Sequence, residues 1–160
     1  MRRKRAQYFK VEKNVPDPLV AKVTHRISFS EVDAMAVAWH GRYPQFFELA
    51  LEELCRSIGL SYKDYFDANL SAPIVQLHLD YHSPVVLDEE ITIIAKLIWN
   101  EAARLNTEYT VMKEDGTIAA TGYTVQMFVD IKTGEPALAA PKLLEKCLER
   151  WRNGKFKNLR

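Results

Sequence analysis

The sequence lacks the features that assign many proteins to a class at once. No apolar run approaches the roughly 20 residues that a membrane-spanning helix needs. There is no Gly-x-Ser-x-Gly nucleophile elbow, no Gly-x-x-x-x-Gly-Lys-Ser/Thr phosphate loop and no Gly-x-Gly-x-x-Gly dinucleotide fingerprint. A serine hydrolase with such an elbow, a P-loop nucleotidase and a Rossmann dehydrogenase are therefore without support.

Cysteine is scarce, and the two that occur are Cys55 and Cys147, in different predicted helices. They form neither a Cys-x-x-Cys pair nor a zinc-binding spacing. Each falls on an apolar helical stripe, which favours a small buried side chain over a catalytic thiol.

Net charge is small, at +1, but basic side chains are concentrated in residues 1–13 and 142–160. Basic ends occur in proteins that bind nucleic acid, but solvated tails are the commoner explanation, and we expect no nucleic-acid partner. No apolar segment follows the first basic residues, so they do not form a secretory signal. A cytoplasmic protein with no integral membrane association is predicted.

Alternation and helical periodicity divide the 160 residues into one folded domain and two flanking segments. We place a basic N-terminal arm at 1–20, the domain at 21–140, and a C-terminal helix with a basic tail at 141–160. The order of elements is strand, loop, long helix, short helix, four strands and closing helix. Their predicted ranges are 21–29, 30–43, 44–58, 61–69, 73–82, 89–99, 104–113, 117–130 and 141–152.

The helix over 44–58 is apolar on several sides, which places it at the centre of the domain. Short connections between the last four strands force antiparallel neighbours. The sequence therefore predicts an α+β fold, with a five-stranded antiparallel sheet wrapped around one central helix. Such a sheet leaves open edges, so we expect at least a dimer.

The loop over 30–43 is unusually apolar and holds a carboxylate, Asp33, in its apolar part. Surface loops are usually more polar, so this loop is predicted to wall a pocket or a subunit contact. An apolar surrounding would also desolvate the Asp33 carboxylate.

The loop residues and the order of elements resemble the hot-dog fold acyl-CoA thioesterases. The run from Glu31 to Tyr43 is similar to the active-site signature of the 4-hydroxybenzoyl-CoA thioesterase-like family, and closest to its Tol-Pal-associated branch. In that family an Asp is followed seven residues later by His and ten later by Tyr, as Asp33, His40 and Tyr43 are here. The similarity extends over about residues 21–140.

Two positions depart from the family pattern. Ala36 stands where the family usually has Gly, and Phe29 stands where the Tol-Pal branch commonly has Tyr. Glycine reaches backbone conformations that alanine resists. Either this loop differs, or Ala36 accepts the conformation that glycine adopts in the family.

The resemblance implies hydrolysis of acyl-CoA, or of acyl-carrier-protein thioesters, without cofactor or metal, in a homodimer or homotetramer. Asp33 and His40 are the expected catalytic residues. Asp33 would activate water or attack directly, while His40 would orient the substrate or is simply structural. Backbone N–H groups near His40 and Gly41 would polarise the carbonyl. The expected substrate contacts are Trp39, Gly41, Tyr43, Phe47, Glu48 and Pro73.

Two other interpretations stay open. Hot-dog domains also serve as ligand sensors, so a non-catalytic acyl-CoA-binding sensor or scaffold is the alternative function. His78, Asp80 and His82 share one face of a predicted strand and could form a metal set. A polar face on an exposed strand is favoured there, with Val75, Leu77, Leu79 and Tyr81 facing inward.

Overall fold

A computed structural model describes residues 7–156 and Leu159. Helical turns at Phe29–Glu31 and His40–Arg42 flank the apolar loop. The remaining elements are β1 (Leu19–Arg26), α1 (Tyr43–Ile58), α2 (Tyr62–Asp67), β2 (Leu70–Ser71), β3 (Ile74–Tyr81), β4 (Glu90–Ile98), β5 (Arg104–Lys113), β6 (Ile118–Met127), β7 (Val129–Asp130) and α3 (Lys142–Arg152).

Five strands form one antiparallel sheet in the order β1-β4-β5-β6-β3. Helix α1 packs across one face of this sheet, chiefly over β1 and β4. Phe46, Phe47 and Leu54 of α1 are fully buried against it. At Gly122 of β6, an added Cβ would lie 2.2 Å from the His78 carbonyl oxygen of β3 and 2.8 Å from the Phe47 ring, so the absent side chain makes room for both the neighbouring strand and the helix. The predicted fold is confirmed.

Local signals set the helix ends. Helix α1 has Pro44 in its first turn, where a missing N–H costs nothing. It stops at Gly59, whose φ of 79° is the left-handed cap that glycine favours. Helix α2 begins with the predicted capping box, in which the Ser61 N–H donates to the Asp64 carboxylate at 2.8 Å.

Strand β3 lies at the edge of the sheet, and the side chains expected to face inward there are less covered than alternation suggested. Leu79 is half-buried, but Val75, Leu77 and Tyr81 are 49%, 46% and 51% exposed. Leu77 and Tyr81 point to the α1 side of the sheet, as their pairing with Thr124 and Ala120 requires. They stay uncovered because α1 lies over the opposite edge.

The N-terminal arm crosses the other face of the sheet. Glu108 accepts hydrogen bonds from the Tyr8 and Phe9 N–H groups at 2.8 and 3.0 Å. The Tyr8 hydroxyl donates to Asp80 at 2.6 Å and lies 2.8 Å from the Thr121 hydroxyl. Burial and the Asp80 carboxylate raise the pKa of Tyr8 to about 12. The arm is thus fixed from Tyr8 onward, while the basic residues before Gln7 lie outside the described part of the chain.

Both cysteine side chains are buried, as expected. Burial raises the pKa of the Cys55 thiol to about 12 and that of the Cys147 thiol to about 11. Neither is therefore ionised near neutral pH.

Candidate active site

The loop before α1 is organised around Asp33. The Asp33 Oδ1 atom accepts hydrogen bonds from the N–H of Met35 at 2.8 Å and of Val37 at 3.3 Å. The Asp33 N–H donates to the Val37 carbonyl at 2.8 Å, which closes the turn. Asp33 therefore shapes the loop with one carboxylate oxygen, while Oδ2 has no hydrogen bond to any described residue.

Ala36 accepts the conformation for which the family uses glycine. Its φ is 58°, in the left-handed region. Its N–H donates to the Asp33 carbonyl at 3.0 Å, and its carbonyl accepts from the Leu87 N–H at 2.9 Å. These bonds hold the loop in its turn despite the strain that a Cβ introduces there.

After this turn the chain enters α1 through Trp39, His40 and Gly41. In the described part of the chain, the N–H groups of His40 and Gly41 have no backbone or side-chain acceptor. They lie just before a helix N-terminus, where the helix dipole favours negative charge. Two free donors close to Asp33 in sequence match what an oxyanion at a reacting carbonyl requires.

The Trp39 indole covers Gly41. A Cβ built on Gly41 would lie 2.3 Å from a ring carbon of Trp39. The absent side chain thus makes room for this indole. Trp39 is 48% exposed, and its ring lies 5.0 Å from the His40 ring.

Two predicted contact residues lie in the core. Phe47 stacks on Tyr109 with ring centres 4.3 Å apart and is 1% exposed. Tyr43 is buried against Phe46 and Tyr81, and this burial raises the pKa of its phenol. Tyr43 is thus linked to the loop through Tyr81, whereas Phe47 packs on the sheet.

The other two predicted contact residues lie away from Asp33. The Glu48 carboxylate accepts a hydrogen bond of 2.6 Å from the Tyr62 hydroxyl. Pro73 lines an apolar groove of about 300 Å³ between α2 and the start of β3. The resemblance implied both contacts, and they stay predictions; within the described residues neither side chain hydrogen-bonds to the Asp33 loop.

The expected desolvation of Asp33 is absent from the single chain, since its side chain is exposed. Apolar side chains around it are exposed as well: Phe29 is 83%, Met35 80% and Val86 47% accessible. A surface of this kind usually contacts another molecule.

Tyr81 is a site residue that sequence reasoning missed. Its hydroxyl donates a 2.9 Å hydrogen bond to the His40 carbonyl, and its ring packs edge-on against Tyr43. Alternation along β3 put Tyr81 on the inward face, and nothing in that pattern distinguishes a core tyrosine from one that reaches a neighbouring loop.

The alternative metal set is not assembled. His78 Nε2 lies 2.9 Å from Asp80, and His82 Nε2 lies 2.8 Å from the Thr121 hydroxyl. Among the described residues, no three His, Cys, Asp or Glu side chains are grouped to hold a metal ion. Nor does any helix in that part of the chain have the length and hydropathy to cross a bilayer.

Comparison with known proteins finds relatives that share this fold. A putative esterase of Synechocystis is 28% identical over 77% of this chain and 75% of its own length. A DHNA-CoA thioesterase of Staphylococcus aureus superposes with a TM-score of 0.73 at 22% identity, covering 87% of this chain and 90% of that one. A hypothetical protein of Staphylococcus aureus, solved in complex with CoA, gives a TM-score of 0.76 at 20% identity, with coverage of 88% and 89%.

The family assignment rests on a match over most of the domain. The model of the thioesterase-like superfamily matches residues 27–147, which include the Asp33 loop, α1 and all of β3 to β6. The narrower likeness to the Tol-Pal-associated branch stays a prediction. The chain belongs to the thioesterase-like superfamily.

Proposed function

We propose that the chain hydrolyses acyl-CoA thioesters, with Asp33 acting at the thioester carbonyl. The observation that carries this proposal is the pairing of a free Asp33 Oδ2 with the free N–H groups of His40 and Gly41 at the start of α1. A carboxylate and two donors are the parts that acyl transfer needs.

Two routes use the same groups. In one, Asp33 takes a proton from water as its oxygen attacks the carbonyl, and the N–H groups of His40 and Gly41 hold the resulting oxyanion. The tetrahedral intermediate then expels the CoA thiolate, which takes up a proton. In the other, Asp33 attacks directly, expels the thiolate and forms a mixed anhydride, which water hydrolyses to free acid and Asp33.

A second copy of the chain would complete this site. The exposed Asp33 loop, the exposed inner-face residues Leu77 and Tyr81, and the unpaired edge of β3 form neighbouring surfaces. Edge strands related by a two-fold axis pair antiparallel. Such pairing would cover these apolar side chains and exclude water from the Asp33 carboxylate. We therefore propose a homodimer built on β3.

Light scattering tests the dimer. Leu77→Arg should place a charge in the interface, yield monomers and abolish turnover while β-sheet circular dichroism persists. An active monomer would contradict a site completed by the second copy.

The primary test follows thiol release from short, long and aromatic acyl-CoAs. Asp33→Asn keeps the Oδ1 acceptor of the turn, so we expect an intact fold and a loss of at least about a hundredfold in kcat. Asp115→Asn is the matched control, because Asp115 Oδ1 accepts from the Thr117 N–H at 2.8 Å in a similar turn far from the loop. Full activity of Asp33→Asn would overturn the role of Asp33, whereas bound but unhydrolysed acyl-CoA would favour the sensor function.

A further inference from the structure

Ala36 has a left-handed backbone without the side chain that usually accompanies one. Four non-glycine residues in the described part of the chain have a positive φ, and the other three are Asn14, Asn69 and Asp88. Asn and Asp side chains can hydrogen-bond the local backbone and so tolerate this conformation, whereas alanine has only a methyl group. Strained residues persist where the surrounding structure holds them in place. Ala36 must therefore be held through its backbone.

The segment 85–87, between β3 and β4, supplies the contacts that hold it. The Leu87 N–H donates to the Ala36 carbonyl at 2.9 Å. Beside this bond, Val37 and Val86 pair as an isolated antiparallel bridge. This part of the loop lies along the segment 85–87 as one strand lies along another, so the position of the segment determines the backbone of Ala36.

Glu89 closes the turn at the end of this segment. Its Oε2 atom accepts a 2.9 Å hydrogen bond from the Val86 N–H, and its own N–H donates to the Val86 carbonyl at 3.2 Å. Both bonds cross a turn in which Asp88 has a φ of 67°. Glu89 Oε1 lies 3.2 Å from the Nζ atom of Lys113, at the end of β5. One carboxylate oxygen thus binds the turn, and the other binds the sheet.

The ion pair of Glu89 with Lys113 is shielded from solvent. The two side chains are only 22% and 17% exposed. Exposed ion pairs contribute little because water and salt screen them, whereas partly buried pairs are screened less. Lys113 therefore fixes the Glu89 carboxylate against the sheet, and with it the turn that precedes β4.

The Asp33 carboxylate depends in turn on Ala36. The two N–H groups that bind Asp33 Oδ1 belong to Met35 and Val37, on either side of Ala36. If Ala36 relaxed to a right-handed or extended backbone, these two N–H groups would no longer point at the same oxygen. Asp33 Oδ2 would then lose its orientation.

We propose that Glu89, held by Lys113, is a positioning residue for Asp33. Glu89 fixes the segment 85–87, which holds Ala36 in the conformation that the Asp33 turn requires. Both Glu89 oxygens are already bonded, so Glu89 acts through the backbone and does not touch the reacting carbonyl. This inference rests on the proposed thioesterase function.

The test measures how Glu89 and Ala36 are coupled in the release of thiol from acyl-CoA. Glu89→Ala should lower kcat roughly tenfold with little change in KM, because Asp33 loses its orientation while the substrate-binding surface is kept. Glycine needs no outside support for a positive φ, so the same change made in Ala36→Gly should lower kcat only about threefold or less. Glu89→Gln can keep one of the two bonds, so it should fold and lose less kcat than Glu89→Ala.

Glu108→Ala is the matched control. Glu108 also accepts hydrogen bonds from backbone N–H groups, those of Tyr8 and Phe9, and it lies 3.8 Å from Lys96. These contacts are on the face of the sheet opposite α1, so the variant should lower Tm but keep the kcat of wild type. An equal loss of kcat in Glu108→Ala would mean that a loosened sheet causes the effect, and it would overturn the inference.

Three other results would also overturn it. They are a wild-type kcat in Glu89→Ala, a loss of the same size with and without Ala36→Gly, and a loss in Glu89→Gln as large as that in Glu89→Ala. The last result would assign the effect to the charge of Glu89 rather than to its bonds. If wild type hydrolyses no acyl-CoA, the proposed function fails, and amide hydrogen exchange then decides the inference alone. The Leu87 N–H should exchange faster in Glu89→Ala than in Glu108→Ala, and equal rates would overturn the inference.

Discussion

The Tyr81 hydroxyl holds the carbonyl oxygen of His40 at 2.9 Å. In a trans peptide the C=O and the following N–H point in opposite directions. By fixing the His40 carbonyl, Tyr81 therefore aims the Gly41 N–H, which is one of the two donors proposed for the oxyanion. An edge-strand residue thus positions a backbone donor at the start of α1.

Tyr81→Phe should lower kcat roughly tenfold with little change in KM. The Gly41 N–H would no longer be held in its orientation, while the substrate-binding surface is unchanged. Steady-state kinetics with one acyl-CoA measures the separation of the two constants. Tyr8→Phe is the control, since Tyr8 also ties its hydroxyl to β3, through Asp80 on the opposite face. An equal loss of kcat in both variants would mean that a loosened β3 causes the effect, and it would contradict a positioning role for Tyr81.

Gly41→Ala should displace the Trp39 indole, because the new Cβ would lie 2.3 Å from the ring. The backbone at Gly41 does not require glycine, so the collision with the ring is the main cost. We expect reduced activity and a changed tryptophan emission spectrum. The double variant Trp39→Ala, Gly41→Ala should recover the Tm lost by Gly41→Ala, and a double variant no more stable than the single one would argue against this contact.

Ala36→Gly should stabilise the protein. The left-handed backbone costs an L-residue about 1–2 kcal/mol, which glycine avoids. The greater freedom of glycine in the unfolded chain offsets about 0.5–1 kcal/mol of this gain. The free energy of unfolding should rise by up to about 1 kcal/mol in urea melts. Ala34→Gly, in the same loop without a positive φ, should instead destabilise. A destabilised Ala36→Gly would mean that the strain is relieved elsewhere.

Glu31 should make the free energy of unfolding depend on pH in the acidic range. Burial opposes ionisation, but hydrogen bonds from Ser28 and His25 outweigh it and hold the pKa of Glu31 below its usual 4.5. A depressed pKa in the folded state stabilises above pH 4.5, and that contribution fades as the pH falls through the lowered value. Glu31→Gln should therefore cost about 1 kcal/mol at neutral pH and progressively less in acid.

Thermal melts across this pH range, with Glu53→Gln as control, check the prediction for Glu31. Glu53 forms only an exposed pair with Arg56 at 3.4 Å, so its variant should parallel wild type at each pH. A constant gap between Glu31→Gln and wild type at all pH values would contradict it.

Local signals carried most of the fold. The helix end at Gly59 and the capping box at Ser61 depend on residues within four positions of each other. Such short-range interactions can be predicted from the sequence. Which strand lies at the edge depends on pairing between distant segments. The alternation in β3 predicted which side chains face inward, but it carries no information on whether α1 covers them.

The candidate site was predictable in part for the same reason. Asp33, His40 and Gly41 occupy one short loop, and the family resemblance implied that they form one site. Phe47 looked like a pocket wall but stacks on Tyr109, and Tyr81 looked like core but reaches His40. Periodicity predicts neither contact, because each one joins segments that are far apart in the chain.

The Asp33 side chain has a structural role in the turn and a proposed role in the reaction. Its Oδ1 atom organises the turn in which Ala36 is held, while the proposed reaction uses Oδ2. Natural variation at this position is therefore doubly constrained, since a change that preserves reactivity, such as Asp33→Glu, would still shift the atom that the turn requires. Evolution of a new reaction on this scaffold would have to rebuild the loop before it could replace the acid.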